Sequence, residues 1–217
     1  TRKESSAASD VYKRQARRLA EDNPDKYFWA NQFENLSNFK AHFTNTGPEI
    51  EKVFGNDLDY FICAAGTGGT IGGNTAYLKK VNPKIKTLLV DPKGSGLDSY
   101  LKTGEFKSEG SSITEGIGIM RLVENFKQAI IDDSISLDDQ YLYTVAKYVS
   151  DHDGIKLGTS SALNVAGAFH TALSAKKGSN ILTFKCDLAE RSYSKMNNEE
   201  FLIDKGIILN KDLKEYL

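Results

Sequence analysis

A glycine-rich turn lies between an apolar run and a helical pattern in the first half of the chain. Residues 60–65 form a short continuous apolar run, which is typical of a strand buried on both faces. Residues 66–70 follow as Gly-Thr-Gly-Gly-Thr, and residues 70–80 have the pattern of a helix. Glycines permit positive φ angles and let backbone N–H groups converge, while the helix adds its unpaired first-turn N–H groups. This unit therefore predicts a cup for a phosphate dianion, to which the two threonines add hydroxyl donors.

The residues of the turn limit which phosphate it can hold. A P-loop ends in Gly-Lys-Ser/Thr, and the corresponding Gly69-Thr70-Ile71 has no lysine. A dinucleotide fingerprint that starts at Gly66 needs a third glycine at position 71, which is isoleucine. Asp91, however, ends the next strand where a ribose-binding acid would lie. A nicotinamide-binding fold and a glycine turn without a ligand therefore both stay open as alternatives.

Apolar runs and helical patterns alternate along the rest of the chain. Strands are predicted at residues 27–33, 60–65, 85–90, 155–157 and 181–186. Helices are predicted at residues 16–20, 48–54, 70–80, 138–150 and 160–176. A loop with one short helix is predicted at residues 92–112. Because strands and helices alternate, the sequence predicts an α/β fold, an open twisted, mostly parallel sheet with helices on both faces.

Charge and composition narrow the class of protein. The 217 residues carry a formal net charge of −1 and no basic stripe, so we expect no nucleic-acid partner. No apolar run approaches the ~18 residues of a membrane span, and the N-terminus has no apolar signal-peptide core. We therefore expect no membrane contact and a cytoplasmic location, with targeting to an organelle as the alternative. Cys63 and Cys186 lie in apolar runs and are expected to be reduced core thiols. Three dispersed histidines give no metal-site spacing, so no metal is predicted.

The first fifteen residues differ in character from the rest of the chain. Residues 5–15, Ser-Ser-Ala-Ala-Ser-Asp-Val-Tyr-Lys-Arg-Gln, resemble the in-frame translation of a transposon adapter used to build sequencing libraries. We therefore expect residues 1–15 to be a non-native, adapter-derived tail, with natural coding sequence from about Ala16. A genuine disordered tail is the alternative.

Four segments together carry a resemblance to a known family. Asn-Gln-Phe-Glu-Asn at 31–35 is followed by Thr-Gly-Pro-Glu-Ile at 46–50. Downstream come Ala-Gly-Thr-Gly-Gly-Thr at 65–70, Glu-Gly-Ile-Gly at 115–118 and Leu-Gly-Thr-Ser-Ser-Ala at 157–162. In this order they resemble the cysteine synthases, which are pyridoxal-phosphate enzymes of fold type II, and the resemblance extends from Ala16 to the C-terminus.

The resemblance implies a cofactor and roles for particular residues. The cofactor is pyridoxal 5′-phosphate, and the implied phosphate ligands are Gly66, Thr67, Gly68, Gly69 and Thr70. Ser160 is implied at the pyridine nitrogen, where a neutral hydroxyl leaves the ring less protonated than a carboxylate would. The implied residues on the substrate side are Gln32, Gly116, Ile117 and Gly118. The implied organisation is an incomplete large domain at 16–200 and a C-terminal tail at 201–217, in a protein that forms a homodimer.

Three features depart from the family's pattern, and one of them is Ala162, where the family often has a glycine. The family's Schiff-base lysine, in a Ser-x-Lys-Asp-Arg context, and its Thr-Ser-Gly-Asn-Thr-Gly substrate loop are both missing. In the family both lie upstream, where the adapter-like stretch stands, so no catalytic residue is assigned and we expect the chain alone to be inert. After Asp187, Leu188-Ala189 replace the usual Ser-Gly, which places the arrangement beside the pyridine ring in doubt.

The implied reaction of the parent enzyme is the formation of cysteine from O-acetylserine and sulfide. A cystathionine β-synthase or another β-eliminating pyridoxal-phosphate enzyme is the alternative within the same chemistry. A nicotinamide-dependent dehydrogenase domain that uses the glycine turn and Asp91 is the alternative from another class. A degenerate, non-enzymatic family member that serves as a binding partner is the third.

Overall fold

The structure is a computed structural model that describes the backbone of residues 2–216 and the side chains of residues 11–216. Its helices are α1 (Arg2–Asp22), α2 (Ser37–Ala41), α3 (Gly47–Phe54), α4 (Gly69–Val81), α5 (Leu97–Thr103), α6 (Glu124–Lys127), α7 (Asp139–Asp153), α8 (Thr159–Ser174), α9 (Tyr193–Met196) and α10 (Glu199–Asp204). A π-helical turn, His42–Thr46, joins α2 to α3, and short 3₁₀ turns occupy Gly55–Asp57, Ala189–Ser192 and Leu213–Tyr216. The strands are β1 (Leu58–Cys63), β2 (Lys86–Pro92), β3 (Asp133–Leu137) and β4 (Asn180–Leu182).

The four strands form one parallel sheet in the order β3-β2-β1-β4. Successive side chains of a strand point to opposite faces, so each strand supplies two different cores. Ile62 and Val90 face a core that α7 and α8 cover, whereas Phe61 and Leu89 face a second core that includes residues of α4. The predicted α/β fold, a mostly parallel sheet with helices on both faces, is therefore confirmed.

Both end segments of the chain contain regular structure that contacts the rest of the fold. Leu202 and Leu213 are buried in the core under α7, and the Gln140 side chain both donates to the carbonyl of Ile208 and accepts from its N–H. At the other end α1 is continuous from residue 2 to residue 22, and Arg17 lies 5.5 Å from the ring centroid of Trp29. The division at residues 15 and 200, including the adapter origin of the first segment, stays a prediction.

The predicted strand at 27–33 is wrong. Residues 27–31 are irregular, and a turn follows in which Asn31, at φ +41°, accepts from the N–H groups of Glu34 and Asn35. The side-chain amide of Asn125 donates to the carbonyls of Gln32 and Phe33 at 3.0 and 2.8 Å. The turn and the buried Asn125 amide thus make the backbone hydrogen bonds that a neighbouring strand would otherwise have made.

Two other predicted strands are shorter than expected, and one strand was missed. The strand predicted at 181–186 ends at Leu182, and that predicted at 155–157 is reduced to a single antiparallel bridge between Leu157 and Leu188. β3 was missed because its sequence, Asp-Ser-Ile-Ser-Leu, lacks a continuous apolar run. It is an edge strand whose buried Ser134 donates to the Asp98 carboxylate at 2.7 Å, so a polar residue is accommodated inside.

The two cysteines have different surroundings. Cys63 is buried in β1, and burial raises the pKa of its thiol, as expected of a core thiol. Cys186 lies beyond the end of β4 and is exposed, so its prediction as a core strand residue is wrong. No helix in the described part of the chain combines the length and the hydrophobicity that a membrane crossing needs.

Candidate functional site

The glycine turn connects β1 to α4 at the carboxyl edge of the sheet, as predicted. Gly68 has φ +83° and ψ −8°, a left-handed conformation that glycine adopts without strain. Its carbonyl accepts from the N–H of Gly72 at 2.8 Å, which starts the helical bonding of α4. The N–H groups of the first turn have no partner within the helix, so they and the positive end of the helix dipole face the turn.

Two further glycines of the turn are required by close approach. A Cβ on Gly66 would lie 2.1 Å from the carbonyl oxygen of Gly116, and one on Gly69 would lie 2.1 Å from Oδ1 of Asn38. Neither contact is sterically possible without a shift. The sequence Gly-Thr-Gly-Gly-Thr is therefore dictated by the neighbours of the turn as well as by its own dihedral angles.

Both threonine hydroxyls of the turn are held by side chains from the segment 37–46. Asn38 Nδ2 donates to Thr67 Oγ1 at 2.8 Å. His42 Nε2 lies 3.1 Å from Thr70 Oγ1, while its Nδ1 lies 3.0 Å from Thr46 Oγ1. Burial lowers the pKa of His42, so the ring is neutral near pH 7. When Nε2 carries the proton of the neutral ring, Thr70 accepts from it and its own O–H is free for a ligand.

Asn38 and His42 were missed by the sequence analysis. Each lies nearly thirty residues before its threonine, and His42 was treated only as a dispersed histidine without metal spacing. The available signal was the position of both residues inside the segment between residues 31 and 50 that carries the family resemblance. Among the described residues, no group of three or more metal-ligating side chains forms a possible metal site.

The loop 115–118 lies directly against the glycine turn. The N–H of Gly118 donates to the carbonyl of Ala65 at 2.9 Å, next to the Gly116–Gly66 contact. The N–H of Glu115 donates to Thr159 Oγ1 at 3.1 Å, and the Glu115 carboxylate pairs with Lys195 at 2.8 Å. The structure therefore brings the predicted substrate-side residues Gly116, Ile117 and Gly118 between the turn and the start of α8.

Ser160 lies in the first turn of α8, half-buried beside Asp187. Its Oγ donates to Asp187 Oδ1 at 3.4 Å, and Ser161 Oγ donates to the Asp187 carbonyl at 2.8 Å. Gly158 permits this approach, since a Cβ there would lie 2.3 Å from the Asp187 carboxylate. The carboxylate near the N-terminal end of α8 is also favoured by the helix dipole. Leu188 is exposed and Ala189 is buried beside this segment.

Gln32 lies in the turn that follows the irregular aromatic segment, with an exposed side chain. Its carbonyl accepts from Asn38 Nδ2 at 3.4 Å, and the same amide nitrogen binds Thr67. Gln32 is thus joined to the glycine turn through one side chain. The structure does not bring it into hydrogen-bond contact with the loop 115–118.

Asp91 is buried at the end of β2, with 1% of its surface exposed. Its Oδ2 accepts from the backbone N–H of Asp98 at 2.9 Å, in the first turn of α5. Burial raises the pKa of the carboxyl to about 6, and the Asp98 hydrogen bond opposes that rise only in part. A carboxyl that is buried and directed at α5 is not presented to a ribose, so it gives no support to a nicotinamide site.

We expect Asp91→Asn to change how stability depends on pH. Between its ordinary pKa of 3.8 and the folded value of about 6, the folded state holds a proton that the unfolded chain has released. Asp91 therefore contributes stability at low pH that is lost as the pH rises through about 6. The free energy of unfolding of the variant minus that of the unsubstituted chain should rise by about 2–3 kcal/mol between about pH 4 and pH 7.5.

Urea unfolding at each pH measures this difference. The exposed Asp204 on α10 gives a matched carboxylate-to-amide control, Asp204→Asn. A variant-minus-parent difference that stays constant across the pH range would show that folding does not raise the pKa of Asp91.

The chain is similar to known proteins in sequence and in structure. A family model described as pyridoxal-phosphate dependent enzyme matches residues 4–187. The chain is 40% identical over 213 residues to cysteine synthase 1 of Neurospora crassa, covering 95% of this chain and 56% of that protein. It is 41% identical over 201 residues to cysteine synthase 2 of Schizosaccharomyces pombe, covering 87% of this chain and 51% of that protein.

A solved structure with the same fold is the O-acetylserine dependent cystathionine beta-synthase from Helicobacter pylori. The two superpose with a TM-score of 0.73 at 31% identity, over 84% of this chain and 57% of that one. The chain therefore spans about half the length of the relatives it matches.

Proposed function

The chain belongs to the pyridoxal-phosphate dependent enzyme family, and on that premise we propose that its glycine turn holds the phosphate of pyridoxal 5′-phosphate in a protein that makes cysteine. The single observation that carries this proposal is the convergence of three loops at one edge of the sheet. These loops are the turn 66–70, the loop 115–118 and the start of α8 at 158–161.

The residues of the turn fit a phosphate dianion. Gly66, Gly68 and Gly69 let the turn pack closely against its protein neighbours, and the first-turn N–H groups of α4 supply donors. Thr67 accepts from Asn38, so its own proton is available to a phosphate oxygen. The same holds for Thr70 when His42 donates to it. We assign the phosphate to these five residues.

Ser160 is proposed to meet the pyridine nitrogen. When bound, the cofactor supplies the electron sink that stabilises negative charge on the substrate carbon. A ring nitrogen that is not protonated can only accept a hydrogen bond, so the Ser160 hydroxyl would donate to it. The bond from Ser160 Oγ to Asp187 Oδ1 is long, at 3.4 Å, so the hydroxyl can turn from the carboxylate to the ring and orient it.

The substrate side is proposed to include Gln32 and the loop 116–118. Gln32 is supported by its connection through Asn38 to Thr67, and the loop by its contact with Gly66. Gly68, Gly116 and Gly118 all have positive φ angles and no side chain, so a bound molecule can approach the backbone closely. We propose that this loop excludes water from the carbon that reacts.

The proposed substrates of the full-length protein are O-acetylserine and sulfide, and the proposed assembly is a homodimer. Cystathionine formation is the second candidate, which the Helicobacter pylori relative favours. Offering sulfide or homocysteine to the full-length enzyme as the second substrate, and measuring both products, distinguishes the two. The cytoplasmic location stays a prediction.

We expect the chain to bind pyridoxamine 5′-phosphate much more tightly than pyridoxamine. These amines are chosen because they form no adduct with surface lysines. Thr70→Val should weaken binding of the phosphate form about tenfold, since it removes one hydrogen bond to a charged group. Isothermal titration measures both constants. Thr103→Val, which removes an exposed hydroxyl from α5, is the matched control and should leave both constants unchanged.

The same titration tests the alternative cofactor. If NAD bound and stabilised the chain while pyridoxamine 5′-phosphate did not, the glycine turn would be a dinucleotide site and the proposed cofactor would be wrong. If pyridoxamine bound as tightly as its phosphate, the assignment of the turn as a phosphate cup would be wrong.

A further inference from the structure

Asn164 on α8 connects the carboxyl ends of β1 and β4. Its side chain is buried, with 1% of its surface exposed. Oδ1 accepts from the N–H of Ala64 at 2.8 Å, and Nδ2 donates to the carbonyl of Phe184 at 2.9 Å. The same Nδ2 lies 3.5 Å from the sulfur of Cys186. One amide therefore binds two segments that are distant in sequence.

The Asn164 amide binds at the point where the hydrogen-bonded pairing of β1 with β4 ends. The β1–β4 ladder stops at the pair Phe61–Leu182, and Thr183 then donates its hydroxyl to the carbonyl of Ile62 at 2.7 Å. Beyond that point the two strands separate, which leaves an N–H on one side and a carbonyl on the other without a ladder partner. The Asn164 amide fills this gap and satisfies both groups.

Each connected segment leads directly to one half of the proposed cofactor site. Ala64 is two residues before Gly66, the first residue of the phosphate cup. Phe184 is three residues before Asp187, whose carboxylate accepts from Ser160. We infer that Asn164 is a positioning residue that fixes the distance between the phosphate cup and Ser160, an inference that rests on the proposed function.

The chemistry of the amide suits this role. The asparagine side chain carries a donor and an acceptor on one planar group, so it can bind an N–H and a carbonyl at the same time. Leucine has a similar shape and removes both bonds, so it leaves two buried backbone groups unsatisfied. Aspartate keeps an acceptor for Ala64 but loses the donor to Phe184. The two substitutions therefore separate the two halves of the connection.

Hydrogen exchange of the 217-residue chain tests the connection without any ligand. Asn164→Leu should raise amide exchange at both 62–68 and 184–188, whereas Asn164→Asp should raise it chiefly at 184–188. Thr171→Val is the control, because Thr171 is buried on the same helix and donates only to Gly167. Increased exchange at a single segment in Asn164→Leu, or the same pattern in Thr171→Val, would overturn the inference.

Ligand binding tests the consequence for the site. Pyridoxamine 5′-phosphate spans both halves, whereas inorganic phosphate occupies only the cup. Asn164→Asp should weaken the former about tenfold and the latter less than about threefold. An equal change for both ligands, or no change for either, would contradict the positioning role. If the unsubstituted chain bound the two ligands equally, the proposed cofactor would be wrong, and the exchange result would still decide whether Asn164 connects the two segments.

Discussion

Gly68→Ala should destabilise the chain by about 3 kcal/mol or more, because two separate penalties act at one position. An alanine in the left-handed conformation costs about 1–2 kcal/mol. The new Cβ would also lie 2.6 Å from both the Cβ and the backbone nitrogen of Phe126, which is buried in α6. Overpacking against a fixed backbone adds about 1–3 kcal/mol. The same change should abolish binding of pyridoxamine 5′-phosphate, since the turn can no longer close over the phosphate.

Gly104→Ala is the matched control for this substitution. Gly104 has φ +78°, close to the +83° of Gly68, but a Cβ there would meet nothing within 4 Å. Its free energy of unfolding should therefore fall only by the cost of the left-handed conformation, about 1–2 kcal/mol, and ligand binding should be unchanged. Thermal unfolding measures the difference, which corresponds to about 2–4 °C for each kcal/mol in a chain of this size. Equal losses in the two variants would show that α6 moves away from the turn at little cost.

We expect the 217-residue chain to make no cysteine from O-acetylserine and sulfide. The family's reaction needs a lysine that bonds to the cofactor and removes the substrate proton. No lysine of this sequence has the Ser-x-Lys-Asp-Arg context. The side chains that contact the glycine turn in the described structure include Asn38, His42 and Phe126, and Lys195 is directed at Glu115 and the carbonyl of Ile113.

Two measurements check this expectation. The first is cysteine formation, with cysteine synthase 1 of Neurospora crassa as the active control. The second is reduction by borohydride in the presence of pyridoxal 5′-phosphate, followed by peptide mass spectrometry. We expect scattered, substoichiometric labelling of surface lysines. Stoichiometric labelling of one lysine that Gly68→Ala abolishes would show that the chain supplies its own Schiff-base residue, and the expectation of inertness would be wrong.

The elements that the sequence predicted correctly are those specified by neighbouring residues. The strand before the glycine turn is a continuous apolar run, and α3 begins with the Gly-Pro and early acid that favour a helix start. The aromatic run at 27–33 shows the limit of such reasoning. Its composition favours a strand, but Asn31 and the distant Asn125 amide direct its backbone into a turn.

For the candidate site, the residues by themselves predicted the glycine turn, whereas the loop 115–118 and Ser160 were implied by the family resemblance. The turn depends on local requirements, namely a left-handed residue, close backbone approach and a helix start, which a few consecutive residues encode. Only the tertiary structure showed that Asn38 and His42 hold the threonines, and that Asn164 binds the N–H of Ala64, which lies 100 positions before it in the chain. Contacts of that kind depend on which strand ends meet at the edge of the sheet, and no local pattern records that.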